Sequence, residues 1–335
     1  MKILLTGAGG FLGKQIARSL LAKGADKLRL HFRQRPPEGF VEGLSAQFPD
    51  SRIEWVAVNL LARGKLVSAV HGVDCIVHAA AGMRGAAADM FANTVLGSRN
   101  VLEAAAVGGV KRVVLVSSFS VYNTEKLASG ALLTESNPIE QIGINKGPYG
   151  YAKTRQEQLF LDLAQQHGFE TVILRPGVIY GPGGGGLSPR VGLKAMGVFF
   201  SLGGKVTLPL TYVDNCADAV AHAALHAPAG SAFNVVDDDL PSCGAYLAAY
   251  RRQVQSMRTL RVPYWAFLIG SRWLQRYHRA SKGQLPAVFT PYVVRSMYRP
   301  VTYSNAALRA IGWKPGVSTS EAMERAFSWM REQRP

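Results

Sequence analysis

Short apolar runs alternate with longer stretches of helical period from the first residues onward. "KILLTGA" at 2–8 is a continuous apolar run ending in glycine, the pattern of a strand covered on both faces. A helical pattern follows from Phe11 to about Lys23, and then a second strand, "KLRLHFR", at 27–33. Further apolar runs stand at 53–58, 74–81, 112–118 and 171–177, and "FNVVD" at 233–237 predicts a late strand. Helical stretches at about 62–71, 86–108 and 150–167 separate most of them. Strands alternating with helices predict an α/β fold built on a doubly wound parallel sheet. After Pro176 the pattern changes: "GPGGGGLSPR" at 181–190 reads as a loop, and the remainder is mostly helical and basic.

Composition narrows the class. With 335 residues, 48% of them apolar, the chain can bury a sizeable core in one large or two smaller domains. No apolar run approaches the roughly 18 residues that span a bilayer. The opening "MKILLTGAGG" lacks the pattern of a signal peptide or anchor. Cys75, Cys216 and Cys243 have no metal or redox spacing and read as reduced thiols, so a cytoplasmic location is expected. His222 and His226 are four apart on a helical pattern, but no third ligand accompanies them, so no metal site is predicted.

Charge is uneven. The net charge is +16, and between Leu240 and Ser320 there is no Asp or Glu. That span carries twelve cations: Arg251, Arg252, Arg258, Arg261, Arg272, Arg276, Arg279, Lys282, Arg295, Arg299, Arg309 and Lys314. A solvated basic face accounts for many of them, but a carboxylate-free segment also favours an anionic partner: a phosphorylated substrate or a membrane surface. Nucleic-acid binding has no motif here to support it. Within this span "VPYWAFLIGSRWLQRYHR" at 262–279 is amphipathic, with Trp265, Leu268, Ile269 and Trp273 toward one side and arginines toward another. It reads as a helix packing over a binding site or as one lying on a membrane.

Two motifs carry chemistry. Gly7-x-x-Gly10-x-x-Gly13 follows the first strand and opens a helix, where glycines allow a tight turn and close approach of a pyrophosphate to the helix N-terminus. A carboxylate for an NAD ribose is expected about 20 residues on. The second strand ends instead in "HFRQR", and Arg33 there suits a 2′-phosphate, favouring NADP over NAD, which stays open. The second motif is "GPYGYAKT" at 147–154. Lys153 is four residues beyond Tyr149 and shares its helix face, whereas Tyr151 has Arg155 at that position. A tyrosine titrates near pH 10, so activation at neutral pH needs about 4 kcal/mol. A cation at about 4 Å supplies roughly that much at an effective dielectric near 20. The pair is therefore either a proton-transfer device or a tyrosine stacked on a solvated lysine.

With "HAAA" at 78–81, "NTVLGSRNVLEAA" at 93–105, "VSSFSVY" at 116–122, "LRPGVIYGP" at 174–182, "YVDN" at 212–215 and the segment 301–327, the chain resembles the extended short-chain dehydrogenase/reductase family from Met1 to about Trp329. The form of "LRPGVIYGP" is similar to the hydroxysteroid dehydrogenase and dihydroflavonol reductase branch. The resemblance implies a Rossmann-like domain over 1–180, rejoined by 205–238, and a smaller substrate cap from 181–204 and 239–335. It implies a catalytic group of Ser118, Tyr149 and Lys153, with Ser117 and Ser120 as competitors for the serine. Ser118 would hydrogen-bond the substrate oxygen and Tyr149 would exchange a proton with it. Lys153 would hold the nicotinamide ribose and lower the pKa of Tyr149. Gly7, Gly10, Phe11, Leu12, Gly13, Asn59, Leu60, Ala79, Ala80, Pro176 and Val178 would surround the cofactor, with Asn59 standing where an Asp is commoner. The implied function is NADP(H)-dependent interconversion of a ketone and a secondary alcohol on a bulky, hydrophobic small molecule. The alternatives are a sugar-nucleotide epimerase, dehydratase or reductase, and a nucleotide-binding relative without turnover. Pairing of two subunits through the helices at 86–108 and 150–167 would follow the family pattern.

Overall fold

The computed structural model describes residues 1–83, 85–280 and 290–333, the side chains of His278 and Arg279 excepted. Lys282 and the Arg279 side chain, counted above in the basic segment, lie outside the described residues. Seven strands form one parallel sheet: β1 (Lys2–Thr6), β2 (Lys27–Phe32), β3 (Arg52–Ala57), β4 (Cys75–His78), β5 (Arg112–Val116), β6 (Glu170–Pro176) and β7 (Ser231–Val235). Their spatial order is β7-β6-β5-β4-β1-β2-β3. The order reverses between β1 and β4, which opens a crevice at the carboxyl edge for a ligand. Thr6 pairs with His78 at that edge.

Both faces of the sheet are covered, which is why its central strands read as unbroken apolar runs. On one face lie α1 (Phe11–Ala22) and α4 (Val213–His226). Ile16, Ala17 and Leu20 of α1 meet an alanine-rich side of α4, including Ala217, Ala221 and Ala224, and small residues allow the two helices close approach. On the other face, Val101, Leu102 and Ala105 of α2 (Gly97–Val107) and Phe160 of α3 (Gly147–His167) pack on Leu4, Ile76, Val113 and Leu115. Immediately before α2 the helix widens into a π turn at Ala92–Leu96, a distortion that recurs near functional sites. The helix carrying Tyr149 begins at Gly147, earlier than its apolar period predicts, with Pro148 in its first turn.

The late part of the chain departs from the mostly helical expectation by adding short strands, including Leu210–Tyr212 beside Val178–Tyr180 and Thr302–Tyr303 beside Leu132–Leu133. A small sheet joins Gly192–Ala195, Val198–Ser201 and Thr259–Arg261. These strands are too short for a period to show in the sequence. Against this sheet stand α5 (Tyr264–Ala280) and α6 (Pro291–Tyr298), joined through Phe267, Leu268, Val294 and Tyr298. Leu308 and Trp313 return to the core, the short helix of Leu308 lying against β7.

One contact at the first turn is decisive for folding. A Cβ on Gly13 would lie 2.0 Å from the Gly7 carbonyl oxygen. Backbone cannot yield as a side-chain end can, so Gly13→Ala is expected to cost about 1–3 kcal/mol. Urea unfolding of the purified variant measures it, and an unchanged midpoint would contradict this account of the turn.

Candidate active site

A cavity of about 1380 Å³ occupies the carboxyl edge of the sheet beneath α6. Its floor is the glycine turn. Gly7 adopts φ of 74° and its carbonyl accepts the Gly10 N–H at 2.9 Å. A Cβ on Gly7 would sit 3.0 Å from the backbone of Ala80, so only glycine allows the turn to nest against β4. No side chain caps α1 and no acid stands in its first turn. Its N–H groups are therefore free to hold a phosphate. The residues fit a dinucleotide pyrophosphate.

Phe11, Leu12, Asn59, Leu60, Ala79, Ala80 and Val178 line the same cavity. Pro176 does not. It is buried as the last residue of β6, and its neighbour Gly177 takes the lining position. Asn59 Oδ1 accepts the Leu61 N–H at 3.0 Å, shaping the loop after β3. Beyond β2, Arg33 donates to Asn93 Oδ1 at 2.7 Å, in the π turn, and Arg35 joins it at the cavity wall. Arg35 carries no motif of its own; only the fold of the loop brings it beside Arg33. His31 is buried with Nε2 on the Val58 carbonyl at 2.7 Å and Nδ1 unpartnered, and burial lowers its pKa. Among the described lining residues there is no Asp or Glu.

The opposite wall carries the predicted catalytic residues. Ser117 lines the cavity with its hydroxyl donated to Glu157 Oε2 at 2.5 Å. That carboxylate also receives the Arg175 guanidinium at 2.6 Å, and Arg175 reaches the Tyr122 hydroxyl at 2.9 Å. Ser118 accepts the Ser120 N–H at 3.1 Å and lines the cavity together with Tyr149, while the Ser120 hydroxyl is buried without a partner. Burial raises the Tyr149 pKa and the Ser118 hydroxyl opposes that rise. The phenol is therefore protonated at neutral pH. This differs from the expectation that Lys153 lowers it.

Lys153 is engaged elsewhere. Its ammonium donates to the Val116 carbonyl at 2.8 Å and to Gln156 Oε1 at 2.5 Å. Burial pushes its pKa down to about 7, with Glu157 pulling the other way. Gln156 in turn donates to Ser98 Oγ at 2.7 Å. Ser98 passes its own proton to the Thr94 carbonyl, so it accepts from His78 Nε2 at 2.8 Å. His78 Nδ1 then accepts from Thr6 Oγ1 at 2.8 Å, and burial pushes the imidazole to about 3, keeping it neutral. A closed chain of buried hydrogen bonds thus runs from the glycine turn to Lys153. Both His78 ring nitrogens are thereby spent inside the chain of bonds. Gln156 was not foreseen; its only signal is a place three residues after Lys153 on the helix.

Lys146, Arg190, Tyr292, Val293 and Met297 line the end beneath α6. Lys146 donates to the Tyr122 carbonyl at 2.6 Å, lies 5.8 Å from the centre of the Tyr292 ring, and is pushed by burial to about 8. Arg190 donates to the Met297 carbonyl at 3.0 Å. This end is apolar with two cations set into it. Away from the cavity, His222 bonds the Ile311 carbonyl at 2.8 Å beside His226, and no metal-ligand cluster occurs among the described residues.

The profile of the NAD dependent epimerase/dehydratase family matches residues 3–236. The chain belongs to this family. A 2-alkyl-3-oxoalkanoate reductase from Stenotrophomonas maltophilia is 33% identical over 66% of the chain, which spans 64% of that protein's length, less than two thirds. One of the same name from Shewanella oneidensis is 28% identical over 96% of the chain and 84% of its own length. Among solved structures, a dTDP-glucose 4,6-dehydratase from Streptomyces venezuelae with NAD bound superimposes with a TM-score of 0.72 at 22% identity, covering 100% of this chain and 98% of that one. The family is one of NAD(P)-dependent oxidoreductases and epimerases, so the chain is an enzyme of a family that uses a nicotinamide cofactor. Among the described residues, no helix is long and apolar enough to cross a membrane.

Lys153 also sets a pH dependence of stability. Its folded pKa of about 7 lies below the ordinary value of 10.5. Between these values the unfolded chain holds a proton that the folded protein has shed, so stability rises with pH across that window and is lost as pH falls through 7. Relative to wild type, Lys153→Met is expected to flatten this rise by up to about 1.4 kcal/mol per pH unit. Urea titrations between pH 7 and 10 measure the slopes, and parallel curves would place the lysine's proton outside this scheme.

Proposed function

We propose that the protein is an NADPH-dependent ketone reductase acting on a bulky, hydrophobic molecule with an acidic group, of the 2-alkyl-3-oxoalkanoate kind. The observation that carries the reading is the cavity itself. A protonated Tyr149 and Ser118 line a space without a lining carboxylate, with Arg33 and Arg35 at one end and an apolar wall set with Lys146 and Arg190 at the other. The arginines suit a 2′-phosphate. The apolar end suits alkyl chains, and its two cations suit a carboxylate. Two relatives named as reductases of such acids support the choice.

The glycine turn from Gly7 to Gly13, with Arg33 and Arg35, would hold a nicotinamide dinucleotide, which would supply the hydride that reduces the carbonyl carbon. Ser118 orients the carbonyl oxygen through its hydroxyl. Tyr149 donates its phenolic proton to that oxygen, a role for which a phenol held in its acid form is suited. Lys153, near half-protonation at neutral pH, stands four residues along the helix to stabilise the phenolate that results. Gln156 and the buried chain behind it hold that ammonium on the catalytic side.

A sugar-nucleotide epimerase is the second reading, because Lys146 and Arg190 also suit a diphosphate. The two separate by cofactor stoichiometry. A reductase consumes one NADPH per 2-alkyl-3-oxo acid reduced, whereas an epimerase turns over a nucleotide sugar with no net consumption. Tyr149→Phe is expected to lower kcat by about 10²–10⁴-fold while NADPH affinity, read by fluorescence, is retained. A near-normal kcat would remove the tyrosine from the chemistry.

The cofactor preference has its own test. Replacing Arg33 and Arg35 by Ser removes two charge-assisted bonds, so the ratio of kcat/KM for NADPH over NADH is expected to fall at least tenfold. An unchanged ratio would show that discrimination lies elsewhere.

A further inference from the structure

Helix α5 has two apolar sides. Phe267 and Leu268 face inward, with the Phe267 ring 5.4 Å from that of Tyr298 in an edge contact. The outward side holds Trp265, Ile269, Trp273 and Tyr277, each four residues after the last and so in one stripe. These side chains are 66%, 46%, 67% and 58% exposed. The stripe differs from the sequence expectation, in which Leu268 shares a side with Trp265 and Trp273; Leu268 instead belongs to the packed side. Arg272 and Arg276 flank the stripe, exposed and in no ion pair with a described residue. Just before the helix, Leu260 is exposed between Arg258 and Arg261.

We infer that the outward face of α5 docks on an anionic lipid surface. Trp and Tyr are the residues that sit at a bilayer interface with an apolar ring inward and a polar edge outward. Flanking arginines would meet lipid phosphates, the arrangement of an amphipathic helix lying in the interfacial plane. Charge argues against a second copy of the chain. A two-fold interface brings each patch onto itself, and between Leu240 and Ser320 there is no Asp or Glu to answer the arginines. The position is also apt. Helix α6, on which α5 packs, contributes Val293 and Met297 to the cavity, so a bilayer against α5 lies behind the roof of the site. The docking surface stands without the reductase reading; if both hold, a lipophilic substrate has a short route from the bilayer.

The test is sedimentation of the full chain with vesicles. Wild type is expected to pellet with mixed phosphatidylglycerol–phosphatidylcholine vesicles and not with pure phosphatidylcholine, to be released by high salt, and to lose acrylamide quenching of its tryptophan emission when bound. Trp265→Ser combined with Trp273→Ser is expected to abolish binding. Arg272→Gln combined with Arg276→Gln should weaken it roughly five-fold for each arginine. All four residues are exposed, so melting temperatures should match wild type. Failure of wild type to bind phosphatidylglycerol vesicles overturns the proposal, as does binding that these variants leave unchanged. Self-association without vesicles that the tryptophan pair abolishes would assign the stripe to a second copy. Quenching of wild type on vesicles uses no variant and so decides the matter even if a variant misfolds.

Discussion

Burying an ammonium at the edge of a parallel sheet is costly unless every donor finds an acceptor. Lys153 meets two thirds of that demand, with one N–H on the Val116 carbonyl and one on Gln156, and the chain behind Gln156 passes through Ser98 and His78 to Thr6. Thr6 immediately precedes the glycine turn, and its register partner across β1 and β4 is His78. The position of the lysine is thereby coupled to that of the turn beneath the cavity. Altering any member leaves a buried polar atom unpaired, at a cost of about 1–3 kcal/mol. The direction of each bond follows from the last. Because Ser98 gives its proton to the Thr94 carbonyl, it can only accept from the imidazole, which fixes the neutral tautomer.

A second buried network braces the same helix from its other side. Glu157 holds Arg175 and Ser117, and Arg175 holds Tyr122, whose hydroxyl donates to Asn234 at 2.7 Å. It ties β5, β6 and β7 to α3. With Gln156 and Glu157 adjacent and facing different networks, α3 is clamped on two sides. Its N-terminal turn, which carries Tyr149, projects from that clamp into the cavity. Rigid support beneath a reactive side chain keeps it in place without a conformational cost at each turnover.

The electrostatics of the cavity follow from where the acids are spent. Glu157 is buried against Arg175, and Glu140 accepts the Tyr292 hydroxyl at 2.5 Å. Glu125 pairs with Arg295 at 2.7 Å. None reaches the lining, so the interior of the site is positive and attracts anions along its whole length. The excess of cations in the sequence thus separates into parts with different structural placements: a positive cavity wall, a set of internal pairs, and the free arginines on α5.

The sequence alone determined the sheet, the glycine turn and the place of Tyr149 and Lys153 four apart on one helix, because each depends on local spacing: a strand period, a fixed turn, and i to i+4 on one helix. It also placed fourteen positions near one another through the order of motifs, of which only Pro176 is turned from the cavity. Tertiary structure decided what depends on contacts distant in the chain. It set Glu157 beside Ser117 and engaged that hydroxyl, while Ser118 accepts the Ser120 N–H. It added Arg35, Lys146 and Arg190 to the cavity wall, and Gln156 to the hydrogen bonds of Lys153. It turned the aromatic stripe of α5 outward, because two apolar sides compete for one partner and Phe267 is the one that reaches Tyr298. Period reveals that a helix has faces; the neighbours that fold against it settle which face is covered.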